Sequence, residues 1–229
     1  MKRFYKDAGT ERGEGGFHVL LDGKKVRTPA RHVLTLPSAA LAEAIAEEWR
    51  AQGEEIVPIS MPLLRLANTV QDGIGLARAE VIAAILRFGE NDLLCYRGEG
   101  ELKRRQAEAW DPMLAWAVEN FGARLHVTEG VGHIAQPPEA LAALERAIAA
   151  HDDYALAVLH VAASITGSAV LGLGLTAGAL NPAQAFQLSR LDEIYQAEKW
   201  GLDHEAEQRT RALAREMDVA ARFLALSHG

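Results

Sequence analysis

Alternating apolar and polar positions dominate the first forty residues. The runs FHVLL and KKVRT flank Asp22-Gly23 across residues 17–28. Asp-Gly between two such runs supplies the positive-φ pair of a two-residue turn, so the stretch predicts a β-hairpin. RFYK (3–6) and HVLTL (32–36) predict further strands, whereas the glycine-rich 9–16 reads as a flexible turn. Pro37-Ser38 ends the sheet, and Ser38 caps a helix over 38–52. There Leu41, Ile45, Glu48 or Trp49, and Gln52 recur at helical spacing, with Trp49 on or beside the buried stripe. Pro58 and Pro62 keep 54–63 extended.

From residue 62 the period becomes helical, with helices expected near 62–72, 76–89, 101–120, 138–150, 153–177, 182–200 and 204–226. Asp111-Pro112 is expected to interrupt the 101–120 helix, kinking or restarting it. Residues 123–130 read as a strand or an extended connection. Asn181-Pro182 gives a cap and a first-turn proline, and Gly201 ends that helix. Asp203 caps the next helix, with Glu205 and Glu207 in its first turn, where the helix dipole favours negative charge. The expected class is therefore α+β, with a small N-terminal β-containing domain (1–60) and a larger helical domain (61–229).

Composition narrows the function. A net charge of −7 argues against broad binding to nucleic acid or anionic membrane, which needs a dense basic face. The tightest basic run, Lys103-Arg104-Arg105, reads as a solvated helix face. A single cysteine, Cys95, allows no internal disulfide and sits among apolar neighbours as a small buried side chain. The N-terminal residues have no apolar core of a secretory signal, and their acids argue against a transit peptide. Residues 155–180 lack Asp, Glu, Lys and Arg. Small residues and hydroxyls fill that stretch and no basic cluster flanks it, so a buried central helix is expected there, with a membrane span as the rival.

Candidate chemistry is sparse. Gly172-x-Gly174-x-x-Ala177, with Asp192 about twenty residues on, mimics a dinucleotide fingerprint, but the strand it needs is missing. Helix packing at small residues accounts for it better. His204-Glu205 begins like a zinc-protease helix, yet position 208 is Gln; His126 and His133 lack a third ligand. No metal and no cofactor are expected. Asp192, Glu193, Glu198 and Asp203 leave open a small-molecule or nucleotide-dependent enzyme working with carboxylates near 192–205. On a continuous helix Phe186, Glu193, Gln196 and Trp200 share one stripe, beside the more apolar Leu188, Leu191 and Tyr195. An acid on that border either partners a buried Arg or stands exposed on a sticky rim. A protein-binding surface has the second form.

Several blocks together carry a family resemblance: RFYK (3–6), LDGKKVRTPARHVLTLPS (21–38), LAEAIAEEWRAQGEEIVPISMPLLRLANT (41–69), NDLLCYR (91–97), WDP (110–112) and YQAEKWG (195–201). In this order the chain resembles the assembly chaperones of the F-type ATP synthase alpha subunit. The resemblance implies a non-enzymatic protein that shields an unassembled alpha subunit until the beta subunit replaces it. It also implies a β-rich N-terminal part and a helical C-terminal part. The partner expected is a protein, with no nucleic acid and no stable membrane insertion, and the free chaperone is expected to be monomeric. A bacterial cytoplasmic member is expected, or a mitochondrial matrix protein if the chain is a processed eukaryotic form. Glu193, Gln196, Trp200 and Asp203 are the expected partner-binding residues. After Gly201 the chain departs from the family's mitochondrial pattern.

Overall fold

The computed structural model describes residues 1–130, 132–201 and 204–229, with backbone alone at 204–206. The chain forms two compact units, one of Met1–Arg78 with Val219–Gly229 and one of Ala79–Asp218.

The first unit holds an antiparallel meander of β1 (Ala8–Gly13), β2 (Gly16–Leu21) and β3 (Lys24–Lys25). The Asp22-Gly23 hairpin is present, with both residues at positive φ (47° and 78°). Asp22 also accepts the backbone N–H groups of Lys6 and Asp7, which tethers the N-terminal segment to the turn. Three expectations are corrected. Residues 8–13 form a full strand and not a flexible turn, because β2 supplies a six-residue register for it. Residues 3–6 form no strand; beside an isolated bridge between Lys2 and Glu55, the Arg3 N–H bonds to the Glu54 carbonyl. The expected strand at 32–36 is likewise reduced to bridges at Val33 and Leu36.

Helix α1 (Ala39–Arg50) is capped by Ser38, whose hydroxyl accepts from the Leu41 N–H. It packs on β1 and β2, and Val19, Leu34, Leu36, Leu41 and Ile45 are buried in that core. Helix α2 (Pro62–Thr69) lacks a local cap. The Glu48 carboxylate of α1 accepts the N–H groups of Leu63 and Leu64 instead, at 2.8 and 2.9 Å. That bond set joins α1 to α2, so residues 62–69 fold with the first unit. A π-turn at Val70–Ile74 follows α2.

The second unit is helical: α3 (Arg78–Glu90, most of which lies in it), α4 (Gly100–Phe121), α5 (Pro138–Ala149), α6 (Asp153–Thr166), α7 (Ala169–Thr176), α8 (Pro182–Ser189), α9 (Leu191–Trp200) and α10 (His204–Ser227), whose last turns belong to the first unit. A short parallel pair joins β4 (Tyr96–Arg97) to β5 (Thr128–Glu129), so 123–130 contains a strand. Pro112 does not interrupt α4; the helix runs through it for 22 residues. Burial of Trp110 and Met113 on either side of the proline, with Asp111 tied to Arg97 at 2.7 Å, holds the backbone in place.

The apolar run 153–177 is two helices and not one. Gly167 (φ 69°) ends α6, and the Ser168 hydroxyl caps α7 by accepting from Leu171 N–H. Among the described residues no helix is long and apolar enough to cross a membrane. Gly172 and Gly174 lie inside α7. A Cβ on Gly172 would stand 2.8 Å from Leu159 of α6, and one on Gly174 2.9 Å from Met113 of α4. Close helix approach explains the two glycines, as expected. The segment 182–200 is also broken, at Arg190. Phe186 therefore lies on α8, buried, and not on the stripe with Glu193.

Candidate docking face

Helix α9 carries most of the residues singled out from the sequence. Its amphipathic pattern buries no side chain fully. It is joined to α4 largely by polar and cation–π contacts: Gln106 donates to Asp192 at 2.7 Å, and Arg105 pairs with Glu198 at 2.6 Å and lies over the Tyr195 ring. Burial raises the Asp192 carboxyl above its ordinary range, and the Gln106 bond partly offsets this.

The opposite face is open. Glu193, Gln196 and Trp200 are exposed together, with Ile194 between them; Trp200 is 77% and Ile194 46% exposed. They line a groove of about 480 Å³, whose other wall is the start of α10, with Glu207, Thr210 and Arg211. Glu193 and Gln196 also border a second hollow of about 500 Å³, reached by Ser164 and Gly167 at the end of α6. Both alternatives for Glu193 are met in part. It pairs with Arg190 at 2.9 Å, yet its side chain is 58% exposed. Arg190 is the more buried partner, resting on the Phe186 ring and donating to the Ile165 carbonyl. An ion pair this exposed contributes little to stability, roughly 0–1 kcal/mol, and stays available to a partner.

Asp203 lies outside the described residues, as do the side chains of His204 and Glu205. Of the carboxylates considered for catalysis, Asp192, Glu193 and Glu198 are each engaged by a different donor, on Gln106, Arg190 and Arg105. No group of three or more His, Cys, Asp or Glu side chains converges as a metal site among the described residues. Cys95 is fully buried, and burial pushes its thiol up to about 12, which keeps it protonated and unreactive.

Sequence reasoning missed Gln106, Arg190 and the α10 wall. A signal for Gln106 existed: it sits at the spacing of Trp110, Met113 and Ala117, the buried stripe of α4. A lone amide on such a stripe needs internal partners. Its amide donates to Asp192, and its carbonyl accepts the Gly98 N–H at 2.7 Å.

The sequence model of the ATP12 chaperone protein family matches residues 2–118. The chain is 26% identical over 215 residues to the mitochondrial protein atp12 of Schizosaccharomyces pombe, covering 88% of this chain and 74% of that one. Among solved structures it is similar to Atp12 from Paracoccus denitrificans, at 40% identity with a TM-score of 0.94, covering 99% of this chain and 98% of that one. The Atu1473 protein of Agrobacterium tumefaciens matches at 46% identity and a TM-score of 0.92, over 100% of this chain and 86% of that one.

Proposed function

This chain belongs to the ATP12 chaperone family, and on that premise we propose that it holds the unassembled alpha subunit of the F-type ATP synthase until the beta subunit replaces it. The exposed face of α9 is its docking surface. One observation carries the reading: Trp200 and Ile194 stand exposed beside Glu193 on a helix that buries none of its own residues. An aromatic anchor with an aliphatic neighbour and a polar rim is the composition of a protein-binding hot spot.

The physics suits a holding protein. A subunit waiting for its obligate partner exposes a large apolar interface that would otherwise aggregate. A modest groove with a few anchors binds such a surface and still yields to a larger permanent interface. We assign the free protein as a monomer in a bacterial cytoplasm, in line with its higher identity to the Paracoccus and Agrobacterium proteins than to the yeast one.

The test is co-expression of the alpha subunit with this protein and no beta subunit. Alpha should stay in solution and co-purify with the chaperone, and added beta should release it. Alpha that aggregates equally with and without the chaperone would sink the proposal.

A further inference from the structure

A second groove lies wholly within the first unit. It is about 360 Å³ and is lined by the apolar faces of Phe4, Tyr5 and Trp49 and by Lys24, Lys25 and Arg27 of the hairpin and the segment after it. That volume accommodates a side chain of a bound segment.

Charge is distributed unevenly in this protein. The whole chain carries −7, yet residues 1–31 hold eight Lys and Arg against four Asp and Glu. One acid, Asp22, lines the groove with Lys24, Lys25 and Arg27. Asp22 accepts from two backbone N–H groups, which hold its carboxyl below the ordinary range, and Glu11 pairs with Lys25 at 3.2 Å. Lys24 and Arg27 are exposed at the groove. With Lys25 shared with Glu11, Lys24 and Arg27 still outnumber Asp22, so the groove keeps a local cationic excess on an acidic protein.

The aromatic lining adds a second requirement. Phe4 is 65% exposed, a large ring left at the groove mouth. Trp49 is 8% exposed, and its indole N–H has no hydrogen-bond partner among the described residues. The Tyr5 hydroxyl does not serve it; that group donates to the Trp49 carbonyl at 2.6 Å. The indole nitrogen is itself shut off from solvent, so what Trp49 offers the groove is its ring, stacked edge-on with Tyr5.

We propose that this groove docks an acidic segment of a protein partner, seating one apolar side chain among Phe4, Tyr5 and Trp49 and its carboxylates beside Lys24, Lys25 and Arg27. A short acidic peptide fits better than an extended polyanion. Charges beyond about 10 Å are screened, so a peptide meets the local cations alone, whereas a membrane or nucleic acid also meets the protein's net negative charge. The inference stands apart from α9 and from the identity of the partner held there.

The experiment uses the full chain and three fluorescein-labelled peptides, built of repeated Glu-Glu-Phe, Glu-Glu-Ser and Lys-Lys-Phe. Fluorescence anisotropy should show saturable binding of the first, weakening with salt, and at least about tenfold weaker binding of the other two. The double variant Lys24→Glu/Arg27→Glu and the variant Phe4→Ala should each lose about tenfold for Glu-Glu-Phe, with unchanged circular dichroism. The Trp49 indole N–H resonance should shift on titration. Equal binding by the variants, equal binding of Glu-Glu-Ser, or no saturable binding would overturn the proposal. So would capture by phosphatidylserine vesicles without peptide binding, which would make the patch a lipid contact.

Discussion

Gln106 of α4 and Asp192 of α9, 86 residues apart in sequence, share a hydrogen bond of 2.7 Å. Gln106 is 1% exposed and its carbonyl is held by Gly98, so the amide points at Asp192 in a fixed orientation. α9 buries no residue of its own, so this bond, with the Arg105–Glu198 pair, is a main attachment of α9 to α4. Replacing Gln106 by Leu leaves the Gly98 N–H and the Asp192 carboxylate without a partner. The expected cost is about 1–3 kcal/mol, a fall in Tm of several degrees for a protein of this size. Hydrogen exchange should quicken in α9 before it quickens in α6 and α7. Uniform exchange across the helices would show that the bond does not anchor α9.

Glu193 and Trp200 should separate binding from folding. Glu193→Lys loses an exposed ion pair and places a cation beside Arg190, so stability should change by no more than about 1 kcal/mol. Trp200→Ala removes a ring that is 77% exposed, with as little effect on stability. Both should weaken capture of the alpha subunit, Trp200→Ala by about thirtyfold if it is a hot spot worth about 2 kcal/mol. Loss of circular dichroism signal in either variant would assign these side chains to the fold.

The parts of this structure legible in the sequence are those set by local chemistry. Asp22-Gly23 announced its hairpin, Ser38 its helix, and Asn181-Pro182 its helix start with a complete capping box to Gln184. Local signals also misled where tertiary contacts decided the outcome. Residues 8–13 are too polar and glycine-rich to read as a strand, and become one because β2 offers a full register. Pro112 reads as a break, yet packing around Trp110 carries α4 through it. Gly167-Ser168 was a visible stop and cap inside an apolar run, hidden by the run's uniform hydropathy. At the candidate docking face, helical spacing grouped Glu193, Gln196 and Trp200 but also Phe186, which the break at Arg190 moves onto α8. The opposite wall comes from α10, and no periodicity within α9 could reveal it.

Gly172 tests the packing reading of the glycine motif. A Cβ there would meet Leu159 Cδ1 at 2.8 Å and the Leu159 carbonyl and Ala163 N–H at 3.3 Å. The leucine tip can move; the backbone of α6 cannot. Gly172→Val should therefore destabilise the second unit by about 1–3 kcal/mol through overpacking. Nucleotides should leave the Tm of the wild type unchanged, because Gly172 faces α6 and Gly174 faces Met113 of α4. Saturable stabilisation by a dinucleotide would reverse this assignment.

Asp92 should make stability depend on pH. The side chain is 0% exposed, and its oxygens accept the N–H groups of Leu94 and Val170 at 3.1 Å each, joining the turn before β4 to the start of α7. Burial pushes its carboxyl up to about 6 from an ordinary 3.8, against the lowering effect of Ser168 and the backbone donors. The folded form therefore holds this proton more tightly than the unfolded chain. Its stabilising contribution is full below about pH 4 and is lost as pH rises through about 6, a change on the order of 3 kcal/mol. Asp92→Asn cannot titrate, and its amide nitrogen would face a backbone donor, so the variant should be less stable than the wild type. The gap in unfolding free energy should widen in favour of the wild type as pH falls from 7 to 5. Denaturant melts of both proteins at matched pH measure it, and a gap that is constant or narrows over that range would mean Asp92 stays ionised in the fold.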